Sequence, residues 1–257
     1  SFVNKIYMFG ILLLLILFWV LVFIFEKKIY DALGLIPNQK KMVYFLTGFL
    51  FSGILVVLKI AIATIFFSLH WKIRDPNDLQ LALVAGKLLV SVFTEELLFR
   101  GIIIYVLIKM IKKHTAMLIS SALFGIYHWF SYEMFGAGLI PMLYVFVTTA
   151  LAGYCWAFAY VNSRTILLPI GLHFGWNSID WLFAKNGSYG EGLFIKVQTL
   201  PLTETQNLAL ALFNGLVPVA CMYLVLRMYF ASQNKSQDQK TQQPVTEPVD
   251  TDLSEKK

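Results

Sequence analysis

The chain has 257 residues, 58% of them hydrophobic and only 14% charged, with a mean hydropathy of +0.68. A soluble globular domain carries about 45–50% apolar and about 25% charged residues, so a water-surrounded core is excluded as the main architecture. The formal net charge of +6 does not mark a nucleic-acid binder, because its lysines and arginines are dispersed between apolar runs, where they set topology.

A helix needs about 20 apolar residues to cross a hydrocarbon core about 30 Å thick. Seven spans approach that length: Ile6–Phe25, Met42–Leu69, Leu81–Ile108, the shorter Thr115–Trp129, Leu139–Val161, Ile166–Ala184 and Asn207–Phe230. The first exceeds an ordinary signal-peptide core and lacks a small-residue cleavage site, so a retained anchor is expected. Strands with open edges are excluded at bilayer depth, since lipid cannot satisfy their backbone groups. The expected fold is therefore all-α, a polytopic transmembrane bundle of about seven helices, or eight, over residues 1–231. Most connections are short, which favours antiparallel neighbours. From 232 to 257 the chain turns to Gln, Lys, Thr, Pro, Glu and Asp, and a disordered polar tail is expected. Cys155 and Cys221 lie in apolar stretches without metal or disulfide spacing, so both read as packing residues.

Lysine and arginine set the orientation. With the N-terminus outside, the segments facing the cytoplasm hold most of them, including Lys40, Lys41, Lys109, Lys112, Lys113 and Arg164. The opposite side holds Lys5, Lys72, Arg74, Lys185 and Lys196, and Lys59, Lys87 and Arg100 fall within spans. The bias predicts a multi-pass membrane protein with its C-terminal tail in the cytoplasm, at the plasma membrane in a bacterial cell.

An ionisable side chain at bilayer depth costs about 2.5–3.5 kcal/mol to insert, so those present need a reason. The third span contains Phe93-Thr94-Glu95-Glu96-Leu97-Leu98-Phe99-Arg100-Gly101. Glu96 and Arg100 are four apart and pair on one helix face. Glu95 is rotated about 100° from Glu96, away from that arginine. One carboxylate is neutralised locally and its neighbour must find something else.

Two histidines are the candidate partners. His128 closes the run Phe124-Gly125-Ile126-Tyr127-His128, and His173 shares a helix face with Asn177 in Gly171-Leu172-His173-Phe174-Gly175-Trp176-Asn177. Gly171 and Gly175 form a small-xxx-small ridge that invites a close neighbour. Counted from the span ends at Ile108 and Thr115, Glu95 and His128 both lie about 20 Å deep, and Asn177 lies at a similar level. His70 and His114 fall at span ends and read as interfacial. Lys59 and Lys87 read as snorkelling or paired cations without chemistry.

Glu95-Glu96-x-x-x-Arg100, Phe124-x-x-x-His128 and His173-x-x-x-Asn177, in that order on separate helices, resemble the CPBP family of CAAX-processing and bacteriocin-processing (Abi) intramembrane endopeptidases, which includes the type II CAAX prenyl proteases. The resemblance covers roughly residues 81–184, the expected catalytic core. It implies a hydrolase with its active-site cavity inside the membrane. By motif position, Glu95 would activate the attacking water, His128 would hold or deprotonate it, and His173 and Asn177 would stabilise the oxyanion. Glu96 and Arg100 would be supporting residues.

No cofactor is favoured. The alternative is a divalent metal such as zinc on Glu95, His128 and His173, a legitimate ligand set that lacks a His-Glu-x-x-His helix. The expected partners are the lipid bilayer and a peptide or lipidated-protein substrate, with no nucleic acid. Two other functions compete: a proton-coupled transporter, because carboxylates and histidines also build proton relays, and a non-catalytic scaffold or immunity protein on the same fold. The motifs do not name the substrate.

Overall fold

The computed structural model describes residues 33–75, 78–184, 189–197 and 201–242. The elements, in chain order, are α1 (Gln39–Phe66), β1 (His70–Ile73), α2 (Asp78–Glu96), a π-helix (Leu97–Ile104), α3 (Tyr105–Met110), α4 (Lys113–Ser131), α5 (Leu139–Ser163), α6 (Leu167–Leu182), β2 (Phe194–Val197) and α7 (Glu204–Gln242).

Because α2, the π-helix and α3 follow one another without a break, the described residues hold six helices. The expectation of seven or eight is corrected accordingly. The expected anchor Ile6–Phe25 lies outside the described residues. Each of the other six spans forms a helix. Three of these, Gln39–Phe66, Leu139–Ser163 and Glu204–Ser236, are long and apolar enough to cross a membrane by themselves. The physical reason is division of labour. The remaining helices carry the polar residues of the site, which lower their apolar content, and α6 has only 16 residues.

Two further expectations change. The polar stretch after Ser232 was expected to be disordered, yet α7 continues through Gln242. Residues 232–242 contain no Gly or Pro, and extending an existing helix avoids the nucleation cost. Residues 243–257 lie outside the described residues. The all-α architecture also gains a small antiparallel sheet, with His70 opposite Val197 and Ile73 opposite Phe194. Phe183 stacks on Phe194 at 4.6 Å and meets Trp71 edge-on at 5.1 Å, so the pair joins the end of α6 to the segment after α1.

Close helix approach fixes α6. A Cβ at Gly171 would collide with the Phe45 carbonyl of α1, and one at Gly175 with the Phe49 carbonyl. Gly48 reciprocates: a Cβ there would lie 2.9 Å from the Leu168 carbonyl of α6. The expected glycine ridge thus packs two backbones together, and α6 becomes a rigid post for the residues on its other faces. At the N-terminus of α1 the Asn38 side chain caps the helix, accepting from Lys41 N at 2.9 Å.

Two buried apolar clusters matter for the site. One, with Leu33, Ile104, Met117, Tyr160, Ile166 and Ile170 among its members, fills the end of the bundle where α3, α4, α5 and α6 meet at their turns. The other runs along the middle of the bundle through Phe99, Phe124, Ala152, Trp156, Leu172 and Met222. Outward faces keep large apolar residues such as Leu50, Ile54, Ile65, Leu143 and Leu224 exposed, as expected where the surroundings are lipid. Cys155 packs inside, whereas Cys221 lies on the exposed face of α7 rather than in the packed interior.

Candidate active site

α2 places Ser91 and Glu95 four residues apart on one face, and the Ser91 hydroxyl donates to Glu95 Oε1 at 3.1 Å. Glu95 Oε2 is buried, makes no hydrogen bond among the described residues and lies 3.8 Å from His173 Nε2. Glu95 is therefore held by one oxygen, and the other is left without a hydrogen bond among the described residues.

Glu96 is fully buried. Its Oε1 accepts from His173 Nδ1 at 2.8 Å and pairs with Arg100 Nη1 at 3.1 Å. Arg100 sits in a closed box. Its Nη2 donates to the Gly153 carbonyl at 3.2 Å, and the guanidinium lies 4.5 Å from the Phe124 ring centre and 5.2 Å from that of Trp156. A Cβ at Gly153 would come within 2.9 Å of the Phe124 ring, so glycine lets α5 approach closely enough for that bond. The π-helix begins immediately after Glu96, and the Phe99 carbonyl within it accepts from Ser120 on α4 at 2.9 Å. Such wide turns concentrate at functional sites; this one carries Arg100.

His173 stacks on Trp156 with ring centres 3.8 Å apart and planes within 17°. The Glu96 carboxylate can only accept, so Nδ1 carries a proton, and Nε2 accepts from the Asn177 amide at 3.0 Å. His128 Nδ1 bonds to the Phe124 carbonyl at 2.8 Å, which fixes its proton there and leaves Nε2 as an acceptor. Edge-on rings of Phe124 and Tyr132 hold the imidazole at 4.4 and 4.9 Å.

Glu95, His128, His173 and Asn177 all line one cavity of about 690 Å³. Its wall also includes Lys59, Asp180, Tyr132 and Tyr189. Lys59, expected only to snorkel or pair, forms an ion pair with Asp180, and its ammonium lies 5.4 Å from the Trp176 ring centre. The six motif residues thus come together from α2, the π-helix, α4 and α6. Glu96 does more than balance Arg100, since it also orients His173. Ser91, Trp156 and the Lys59–Asp180 pair were not singled out from the sequence. Ser91 is legible afterwards as the residue four before Glu95, and Asp180 as the residue three after Asn177. Trp156 gave no signal, because only packing of α5 against α6 brings it to the imidazole.

Among the described residues no set of three His, Cys, Asp or Glu is placed to hold a metal ion. Both nitrogens of His173 are engaged, by Glu96 and Asn177, so Glu95, His128 and His173 as arranged do not fit a metal.

Fold and site together define an all-α membrane protein with an ionisable, polar cavity among its helices. Residues 77–179 match the Rce1-like family, described as type II CAAX prenyl endopeptidase Rce1-like. That segment contains every motif residue, and the match supports the CAAX-processing family that the motifs resemble and, in general terms, a CAAX-type intramembrane protease. Comparison with curated proteins and with solved structures gives no match.

Proposed function

We propose that this chain is an intramembrane endopeptidase that hydrolyses a peptide bond of a membrane-associated or lipidated peptide through a Glu95-activated water, without a metal. The observation that carries the reading is a buried carboxylate oxygen without a hydrogen bond, on a cavity shared with His128, His173 and Asn177 from two other helices.

In this reading, Glu95 Oε2 takes a proton from water as its oxygen attacks the scissile carbonyl carbon. His128 Nε2, an acceptor in its fixed tautomer, orients the water through the other hydrogen. The Asn177 amide has a second N–H beyond the one given to His173, and this N–H donates to the developing oxyanion. Each such donor is worth about 2.7–4 kcal/mol in a water-poor site. His173 acts through its neighbour: its Nε2 accepts from the Asn177 amide and so holds that side chain in place. The C–N bond then breaks, the proton passes to the leaving amine, and the carboxylate is restored.

Glu96 and Arg100 act through His173. With Arg100 boxed by rings and Glu96 fully buried, the imidazole cannot change tautomer without stranding a charge. The test is cleavage of a quenched-fluorescence membrane peptide by purified protein in lipid vesicles, comparing the parent chain with Glu95→Gln. This change keeps the shape and removes the base. Loss of turnover by about 10²–10⁴-fold is expected for a general base; undiminished turnover in a folded variant sinks the proposal.

A further inference from the structure

We infer that Asn214 of α7, together with its own main-chain carbonyl, is a binding site for the backbone of an extended peptide. Given the peptidase reading on which this rests, that peptide is the substrate, held in the cavity by a helix that lies outside residues 77–179. Three observations carry this, none of them used to place the catalytic residues.

The first is an amide where apolar residues are the rule. From Leu208 to Met222, Asn214 is the only side chain of α7 that carries a charge, a hydroxyl or an amide. It belongs to a helix long and apolar enough to cross a membrane, about 15 Å along the axis from its first residue, Glu204. An amide at such depth is costly unless it is hydrogen-bonded. Asn214 is half-buried and lines the cavity shared by Glu95, His128, His173 and Asn177. Its side chain makes no hydrogen bond among the described residues.

The second is the proline one turn further on. Pro218 lies inside α7 and has no N–H, so the Asn214 carbonyl loses the donor that an α-helix supplies four residues later. Residues four apart share a helix face, and Pro218 is buried, so this gap faces the bundle and not lipid. One turn of α7 therefore offers a carbonyl acceptor beside a side-chain amide that both accepts and donates.

The third is how firmly that turn is held. A Cβ at Gly215 would lie 2.5 Å from the Thr148 side chain and 2.8 Å from the Tyr144 hydroxyl, so α5 and α7 touch there. The Tyr144 hydroxyl also donates to the Ala211 carbonyl at 2.8 Å, which pins α7 on the other side of Asn214. The Thr148 and Thr149 hydroxyls each donate to a carbonyl of their own helix. On the cavity wall built by α5 and α7, the Asn214 amide is thus the one hydroxyl or amide side chain left unpaired among the described residues.

These groups fit a peptide main chain. A peptide bond open to attack belongs to an extended segment, whose N–H and C=O groups have no partners of their own in a water-poor cavity. The Asn214 carboxamide can accept one such N–H and donate to one such C=O, and the Asn214 carbonyl can accept a further N–H. Main-chain groups are the same at every residue, so this recognition does not depend on the side chains of the substrate.

The experiment reads binding and cleavage separately. Full-length protein carrying Glu95→Gln, in lipid vesicles, is titrated with a dansylated peptide anchored by one acyl chain, and binding displaceable by unlabelled peptide is followed by energy transfer from tryptophan. The titration is repeated with a series in which each amide of the peptide in turn is N-methylated. Methylation should raise Kd about tenfold at two positions, the order expected when a buried acceptor loses its hydrogen bond. With Asn214→Leu added, the unmethylated peptide should bind about tenfold more weakly, and methylation at one of the two positions should have no further effect. Pro218→Ala gives the Asn214 carbonyl a helical N–H and should remove the other position; persistence of both overturns the part assigned to the carbonyl. Equal Kd with and without Asn214→Leu, or a methylation series with no sensitive position, overturns the inference and leaves Asn214 as the seat of a structural water. No displaceable binding also overturns it, since main-chain recognition accepts any sequence. Should Asn214→Leu fail to fold, Asn214→Ala takes its place. If binding follows Asn214 and the chain with Glu95 intact cleaves none of the peptides, the backbone site stands and the peptidase reading is what fails. If that chain cleaves, kcat/KM should fall about tenfold with Asn214→Leu, and an unchanged kcat/KM overturns the inference.

Discussion

The long helices α1, α5 and α7 and the site-bearing helices α2, α4 and α6 solve different problems. The first three have the length and apolar content to cross a bilayer unaided and show it wide apolar faces. The second three bring in Glu95, Glu96, His128, His173 and Asn177, which no isolated helix would carry into lipid without cost. They are tolerated because the long helices shield them: α1 packs along α6 through Gly171 and Gly175, and α5 supplies Trp156 to His173 and the Gly153 carbonyl to Arg100. The polar site of the bundle thus resides in the helices least able to stand alone.

That contrast can be broken from either side. The largest effect should come from the chemistry: Glu95→Gln is expected to lower turnover by about 10²–10⁴-fold while circular dichroism and thermal unfolding in detergent stay within about 1 kcal/mol of the parent. A comparable loss of stability would mean that Glu95 is a structural residue.

Next comes the buried pair. Arg100→Met leaves Glu96 buried without its cation and should destabilise by about 3–5 kcal/mol, measured by chemical unfolding in mild detergent. A change under about 1 kcal/mol would show that the aromatic box, not the charge, holds the site. Replacing both members together, Glu96→Leu with Arg100→Met, should recover much of that stability yet leave turnover impaired, because His173 loses the acceptor that sets its tautomer.

Shielding by the long helices is tested by Gly175→Val. The added carbons would strike the Phe49 carbonyl and the Ser52 hydroxyl, and overpacking of this kind costs about 1–3 kcal/mol. Turnover should fall with it, since Asn177 is two residues away on the same helix. The smallest effect is expected for Asp180→Asn. Asp180 is about half exposed, so loss of its ion pair with Lys59 should cost no more than about 1 kcal/mol. A shift in KM without a shift in kcat would place the pair in substrate binding.

Much of this was legible in the residues. An i, i+4 pair must meet on a helix, which is why Glu96–Arg100 and His173–Asn177 appear at 3.1 and 3.0 Å. The glycine spacing on α6 announced a close neighbour, and α1 is that neighbour. Less legible was anything that depends on a second helix arriving from elsewhere in the chain, such as the Glu96–His173 bond across 77 residues or the ion pair of Lys59 with Asp180. The small sheet was also missed, because four-residue strands such as His70–Ile73 and Phe194–Val197 carry too little periodicity to stand out from a loop.

By itself, then, the sequence determined the membrane class, the placement of six helices and the identity of the ionisable residues that share helix faces, because hydropathy and the 3.6-residue turn act locally. Only tertiary structure decided which carboxylate orients a histidine and which lines the cavity. Those outcomes depend on distances between helices, and such distances are set by backbone contact at a few glycines and by apolar packing between residues far apart in the chain.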